Sequence, residues 1–305
     1  MKIVLVTPAR PGARTGNRHT ALRWAAFLRA AGHRVTVCTE WDGRPADVML
    51  ALHARRSHPS IKEFPGPVVL ALTGTDVYHD IHTSAAAKQS IELARRLIVL
   101  QRKAADEVPG KHVHVVVQSS ATRLRHAPVT KFRVCVIGHL RAVKDPLLTL
   151  KALSYVDRDL EVIQLGELME PEFKPRTKDP RYRWLGSVPH GRALRWLASS
   201  HAMVISSRME GGANVVCEAL RIGVPVLASR IPGNVGLLGE RYGGYFPVGD
   251  ARALARLLGM DRSFYEKLQR QIAPLRAQVA PSMEARALLA SFASLARSPR
   301  GRRPA

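Results

Sequence analysis

Ser206-Ser207-Arg208-Met209-Glu210-Gly211-Gly212-Ala213-Asn214-Val215-Val216-Cys217-Glu218 decides how the rest of this 305-residue chain is read. The apolar run Ala202-Met203-Val204-Ile205 before it predicts a buried strand, and Val215 to Ile222 predicts a helix that stops at Gly223. In an open α/β sheet, ligands bind at such strand-to-helix turns, outside the carboxyl ends of the strands. Two glycines let backbone N–H groups approach an anion, and the helix start adds a favourable dipole. Two carboxylates in the same stretch would repel a bare phosphate, whereas ionised Glu accepts hydrogen bonds from hydroxyls. A ligand with both hydroxyls and phosphates, such as a nucleotide sugar, satisfies the whole pattern. An ordinary turn with solvated Glu side chains is the plain alternative.

Toward the N-terminus the same strand–loop–helix layout recurs. Lys2 to Thr7 is a β-branched run suited to a strand buried on both faces. Thr20 to Ala31 has apolar residues at helical spacing and stops at Gly32, and Arg34 to Thr39 reads as the next strand. The intervening loop holds Gly12 and Gly16, too far apart for the glycine fingerprint of a dinucleotide site. Asp47 to Leu52 and Val68 to Leu72 predict two further strands. Their ends release His53-Ala54-Arg55-Arg56-Ser57 and Thr73-Gly74-Thr75-Asp76 onto one sheet edge. A helix over Ala85 to Ala94 and strands over Leu97 to Leu100 and Val113 to Val117 complete this half.

Ala127-Pro128-Val129-Thr130 reads as a linker, after which the layout starts again. Phe132 to Ile137 is a strand, Gly138 to Pro146 a basic loop, and a helix begins at about Leu147. Glu161 to Leu165 and Tyr182 to Trp184 predict strands, the second turning at Gly186, and Arg192 to Ser199 a helix. Beyond the opening stretch come a strand over Pro225 to Ser229 and a helix over Ala251 to Leu258 capped by Asp250. A last helix runs from Met283 to Leu295, capped by Ser282. The expected class is α/β with two similar domains, 1–127 and 128–281, facing a central cleft, and with 282–296 packing back on the first.

The chain carries 47 Lys and Arg against 24 Asp and Glu, a formal net charge of +23. Such charge favours nucleic acid, acidic membrane or phosphorylated small molecules. A nucleic-acid module would concentrate its cations on one face with stacking aromatics, and aromatics are only 6% of this chain, so no nucleic-acid partner is expected. Arg is scattered along the whole length, so biased composition alone also accounts for the excess. Cys38, Cys135 and Cys217 sit in apolar runs without ligand spacing, which argues for reduced thiols and against zinc. Histidines and carboxylates do not cluster at ligand spacing either, and no metal is expected. Met1 to Val6 is too short for a signal sequence, and no apolar run approaches the ~20 residues of a membrane span. The expectation is a cytoplasmic protein with no stable membrane anchoring.

Glu210 and Glu218, with seven residues between them, resemble the E-x7-E motif of family 4 glycosyltransferases of the GT-B fold. The surroundings are similar too: Gly186 in a turn before a helix, Ser206 ending a strand, Gly223-Val224-Pro225-Val226-Leu227-Ala228-Ser229 after the motif, and Gly138 to Lys144 as a basic phosphate loop. One departure is His139, where that family usually has Arg. Thr15-Gly16-Asn17-Arg18-His19-Thr20-Ala21 with Trp24, Ala51 to Ser57, Leu72 to Asp76 and Val99-Leu100-Gln101 resemble the selenosugar synthases of selenoneine biosynthesis. Gly211 to Asn214 and Ile231-Pro232-Gly233-Asn234 fit the same branch. The resemblance spans about Lys2 to Leu295.

It implies two Rossmann-like domains and a hexosyltransferase that joins selenophosphate to a sugar from a UDP-sugar, UDP-N-acetylglucosamine being the first choice. A carbon–selenium bond forms, UDP leaves, and the selenosugar passes to a selenoneine synthase. No cofactor is implied beyond the UDP-sugar co-substrate. Family 4 transfer to another small molecule or to a lipid, and a sugar-nucleotide epimerase of the same fold, are the alternatives.

Donor binding falls to Gly138, Arg141, Lys144, Gly186, Glu210, Gly211, Gly212, Ala213, Asn214 and Glu218; Asn214 is equally suited to cap its helix. Arg141 and Lys144 would stabilise the departing diphosphate and Glu210 would reach the transferred sugar. Asp76 and His53 are the remaining catalytic candidates, as orienting groups or as a base, with a structural His53 the plain alternative. Gly16, Asn17, Arg18, Arg55, Arg56 and Thr75 would bind the anionic acceptor. Gly233 and Asn234 border the sugar pocket or merely form a turn.

Overall fold

The computed structural model describes residues 1–305 except 14, 75, 109–111, 294 and 296–305. Contacts divide the chain into two compact units: Met1–Gln118 joined by the chain from Ser282 onward, and Ser119–Pro281.

In the first unit, strands β1 (Lys2–Val6), β2 (Arg34–Cys38), β3 (Val48–Leu52), β4 (Val68–Leu72), β5 (Arg96–Val99) and β6 (Val113–Val115) form one parallel sheet in the order β2-β1-β3-β4-β5-β6. The central strands β3 and β4 read Val-Met-Leu-Ala-Leu and Val-Val-Leu-Ala-Leu and are buried at every position. Helices covering both faces of a parallel sheet demand such unbroken apolar runs. At the margin, β2 exposes Arg34 and Thr36 instead. The helix Gly16–Ala30 lays Ala21, Trp24, Ala25 and Leu28 against the sheet at helical spacing.

Full burial of Trp24 obliges its indole N–H to find an acceptor. It donates to Glu284 Oε1 at 2.7 Å, while Arg23 Nε lies 2.7 Å from Glu284 Oε2. Glu284, itself buried, thereby clips the helix Pro281–Ala290 to the first one, and Leu288, Phe292 and Leu295 join the same apolar cluster. The last helix starts at Pro281, not after a Ser282 cap, because proline's preset φ suits a first helical position.

In the second unit, β7 (Arg133–Ile137), β8 (Glu161–Leu165), β9 (Tyr182–Trp184), β10 (Ala202–Ile205), β11 (Val226–Ser229) and β12 (Tyr245–Phe246) form a second parallel sheet, ordered β12-β11-β10-β7-β8-β9. This is a doubly wound order in which the first strand of the unit lies beside the fourth. The winding direction reverses between β7 and β10, so the crevice at their carboxyl ends is the expected ligand position. Asp250 caps the helix Ala251–Leu258 by accepting from Ala253 N at 2.8 Å.

Residues 119–127 pack with this second unit, nine residues earlier than the linker reading placed the break. Ser120 N donates to Val279 O, His126 N to Ile222 O and Ala127 N to Ala198 O, so this extended segment satisfies its backbone there. The helices His58–Glu63, Pro232–Leu238 and Arg262–Ile272, and a wide helical turn over Asp76–Asp80, were not expected from the sequence. The first two are short and depend on packing more than on propensity. Arg262–Ile272 did carry a local signal, since Asp261 caps it by accepting from Phe264 N at 3.1 Å.

Candidate active site

In the second unit, the loops after β7 and β10 are fastened to each other at the reversal of the sheet. Arg208 N donates to Val143 O, and Ser206 Oγ lies 2.9 Å from the carbonyl oxygens of both Lys144 and Asp145. Asp145 takes left-handed backbone angles, φ 43° and ψ 55°, a region open to Gly and tolerated by Asp and Asn. Its carboxylate holds Arg208 Nη2 at 2.8 Å. Between these fastenings Lys144 Nζ pairs with Glu210 Oε1, and Ser207 Oγ donates to that same oxygen at 2.6 Å.

A second layer supports this pair. Ser229 Oγ donates to Ser207 O at 2.5 Å, and Asn234 Nδ2 donates to Ser229 O at 2.9 Å. Gly233 does not form a turn: it lies in the helix Pro232–Leu238, and a Cβ there would sit 2.1 Å from Glu210 O. Gly166 is needed in the same way, because its Cβ would come 1.9 Å from Gly138 O. Close backbone approach accounts for both glycines. Gly186, at φ 67°, turns the chain after β9 and its carbonyl accepts from Gly166 N at 2.9 Å.

Glu218 lies on the helix Asn214–Ile222, with His190 Nε2 2.7 Å from its Oε1. The cap position falls on Ala213, so Asn214 is the first helical residue and not the cap. Gly211 and Ala213 are buried and Gly212 half-buried between Glu210 and that helix. Arg141 precedes the short turn Ala142–Lys144, and its Nε is buried without a hydrogen-bond partner among the described residues. His139, at the family's Arg position, accepts from Glu167 N through Nδ1 at 3.2 Å.

The first unit gathers a different cluster. Asp76 is fully buried; Ala54 N reaches its Oδ2 at 3.0 Å and Gly74 N its Oδ1 at 2.7 Å. A carboxylate so enclosed organises the loops after β3 and β4. His53 is buried in left-handed backbone at φ 78°, with Nδ1 3.9 Å from Asp76 and Nε2 3.8 Å from Asp80. Burial pushes its imidazole below the usual histidine value, the two carboxylates opposing and Arg55 and Arg56 assisting.

Arg55 reaches Asp80 with Nε at 3.0 Å and leaves half of its side chain exposed; Arg56 is also exposed. Gly16 opens its helix, with Asn17 and Arg18 half-buried in the first turn. They follow β1, which lies beside β3, so these loops share one sheet edge. Thr75 lies outside the described residues.

Sequence reasoning missed Asp145, Ser207, Arg208, His190 and Asp80 as partners of the candidates. Ser207 and Asp145 each had a signal, standing three residues before Glu210 and next to Lys144. His190 and Asp80 lie 28 and 25 residues from the groups they hold, and local pattern does not reveal such pairs.

Both sheets and their helices superpose on solved proteins of the GT-B fold. HepE of Anabaena, in a complex with UDP and glucose, matches with a TM-score of 0.75 at 15% identity over 96% of this chain and 100% of that one. A sucrose-phosphate synthase from Thermosynechococcus elongatus matches at 0.69 and 14% identity over 97% and 96%. Residues 131–259 match the family Glycosyl transferases group 1. A Xenopus tropicalis glycosyltransferase 1 domain-containing protein 1 is 25% identical over 283 residues, 78% of this chain and 81% of that protein. The chain has the GT-B fold, and within its second unit residues 131–259 are similar to the group 1 glycosyltransferase domain.

Proposed function

We propose that the enzyme transfers a hexosyl group, N-acetylglucosamine, from a UDP-sugar to selenophosphate, with the donor on the second unit and the acceptor on the first. The observation that carries this reading is the Lys144–Glu210 pair at the reversal of a doubly wound sheet. A cation for the diphosphate and a carboxylate for sugar hydroxyls stand together there. The Anabaena protein, of like architecture, was solved with UDP and glucose.

As the sugar–oxygen bond breaks, its electron pair passes to the β-phosphate of UDP and negative charge builds on that oxygen. Lys144, with Arg141 in the same loop, neutralises it. One charge pair at ~4 Å and an effective dielectric of ~20 is worth roughly 4 kcal/mol. Released from Lys144, Glu210 accepts from the sugar hydroxyls, and Glu218 accepts from the ribose. Backbone N–H groups of Gly211 to Asn214, and of the loop from Gly138, face the phosphates. Gly186 leaves room for the nucleotide at the turn after β9. This reading needs neither a metal nor a further cofactor.

The anionic selenium attacks the anomeric carbon, so the C–Se bond forms as the C–O bond breaks. Such a nucleophile requires no general base, which suits the enclosure of Asp76. Arg55, Arg56, Arg18 and the helix start at Gly16 and Asn17 supply charge for the acceptor, while His53 spaces the loop that carries Arg55. The selenosugar would pass to a selenoneine synthase. Among the described residues no helix is long and apolar enough to cross a membrane, and the reading places the reaction in the cytoplasm.

Mass spectrometry of the products from UDP-N-acetylglucosamine with selenophosphate, thiophosphate or phosphate tests both halves. Selenium in the sugar product together with UDP is the expected result. UDP release with no selenium on the sugar would refute the acceptor, and no turnover with any UDP-sugar would refute the donor. Arg55→Ala is expected to raise the apparent KM for selenophosphate more than that for the donor; equal effects would refute a separate acceptor site.

A further inference from the structure

The second unit holds a pocket of about 340 Å³ to which neither donor loop contributes. It lies at the carboxyl end of Asn214–Ile222, the helix that carries Glu218. Leu220, Ile222 and Ile272 give it an apolar floor, and Arg125 and Arg276 its charge. No carboxylate lines it. Among the described residues neither arginine makes an ion pair or a side-chain hydrogen bond, and Arg276 Nη2 is buried.

The remaining polar wall is neutral. His126 Nε2 lies 2.8 Å from Ser200 O, an atom that can only accept, so Nε2 bears the proton. His126 Nδ1 then accepts from Gln269 Nε2 at 2.5 Å. Burial pushes this imidazole below the usual histidine value and keeps it uncharged. The negative end of the helix dipole accounts for part of the attraction of two arginines. It does not account for an unpaired buried N–H, because Ala219 O and Ile222 O already accept from backbone N–H groups of Gly223, Val224 and His126.

We propose that this pocket binds a small organic anion, with its phosphate or carboxylate head between Arg125 and Arg276 and its apolar body on Leu220, Ile222 and Ile272. Guanidinium forks match both head groups, and a volume in the low range of small-molecule pockets suits a ligand of that size. The pocket also borders both stretches by which the chain enters and leaves this unit, one near Arg125 and one near Arg276. Ser120 N already donates to Val279 O between those stretches, at 3.1 Å. A bound anion fastens both to the end of the Glu218 helix.

Calorimetric titration of the full chain tests this with phenyl phosphate, benzoate, inorganic phosphate and phenol as probes. Lys144→Ala serves as the reference for anion binding at the donor loop. Phenyl phosphate or benzoate is expected to bind at least about tenfold more tightly than inorganic phosphate or phenol, and as well to Lys144→Ala as to the wild type. Arg276→Gln, and independently the exposed Arg125→Gln, should each weaken that binding by about tenfold. The tighter of phenyl phosphate and benzoate identifies the head group. Absence of saturable binding, affinity lost in Lys144→Ala, or affinity untouched by both arginine variants would overturn the proposal.

Discussion

Each sheet reverses its winding once, and the loops at the two reversals are built in opposite ways. In the second unit a Lys–Glu pair stands partly open, with 24% of the Lys144 side chain and 9% of the Glu210 side chain exposed. In the first, the loop after β3 at the reversal is held from the neighbouring loop after β4 by Asp76, which is sealed and spends its oxygens on backbone N–H groups, with His53 beside it almost as buried. The open pair can exchange partners with a ligand that brings both negative charge and hydroxyls. The sealed carboxylate sets the shape of its loops. One scaffold thus yields a partly open edge in one unit and a moulded edge in the other.

The largest expected effect separates the units by stability. Glu284→Ala removes the buried carboxylate that Arg23 and the Trp24 N–H share and should cost the first unit about 3–5 kcal/mol. Hydrogen exchange should show that unit opening earlier while the second keeps its protection; equal loss in both would break the comparison.

Next, Lys144→Ala is expected to lower turnover about a hundredfold with the fold intact, the size seen when one donor to a developing oxyanion is removed. An unchanged rate would remove Lys144 from the chemistry.

Smaller again is the effect of backbone strain at Asp145. Asp145→Ala and Asp145→Gly both lose the contact with Arg208, but only alanine keeps a Cβ in left-handed backbone. Denaturant unfolding should find the alanine variant less stable by about 1 kcal/mol. Equal stabilities would mean that the loop relaxes out of that conformation.

The smallest effect is a pH dependence in the first unit. The folded pKa of His53 lies below its unfolded value, so its contribution is complete above about pH 6.5. Below that the unfolded chain takes up the proton first, and stability falls until the pH reaches the folded pKa. Melting between about pH 7 and pH 5 should show the loss, shallower in His53→Asn, which tolerates the left-handed backbone. An identical slope in the variant would remove His53 as the source.

Much of the strand pattern was legible because a parallel sheet covered on both faces requires continuous apolar runs, as in Val48–Leu52 and Val68–Leu72. The Asp250 cap was legible because capping is a local hydrogen bond. The Pro232–Leu238 helix escaped notice because its two glycines oppose it locally, although Pro232 suits its first position, and packing against the Glu210 loop is what retains Gly233. The break between units came earlier than a proline-containing linker suggested, because 119–127 finds its hydrogen-bond partners in the second unit.

By itself the sequence determined that Glu210 and Glu218 flank a strand-to-helix turn, with a basic loop elsewhere in the same half. Spacing and charge are local properties that the chain carries in any conformation. Only the tertiary structure decided that Lys144 and Glu210 meet, that His190 holds Glu218 and that Asp76 is sealed. The physical reason is winding order: β10 is laid beside β7, and two loops separated by 66 residues become one surface.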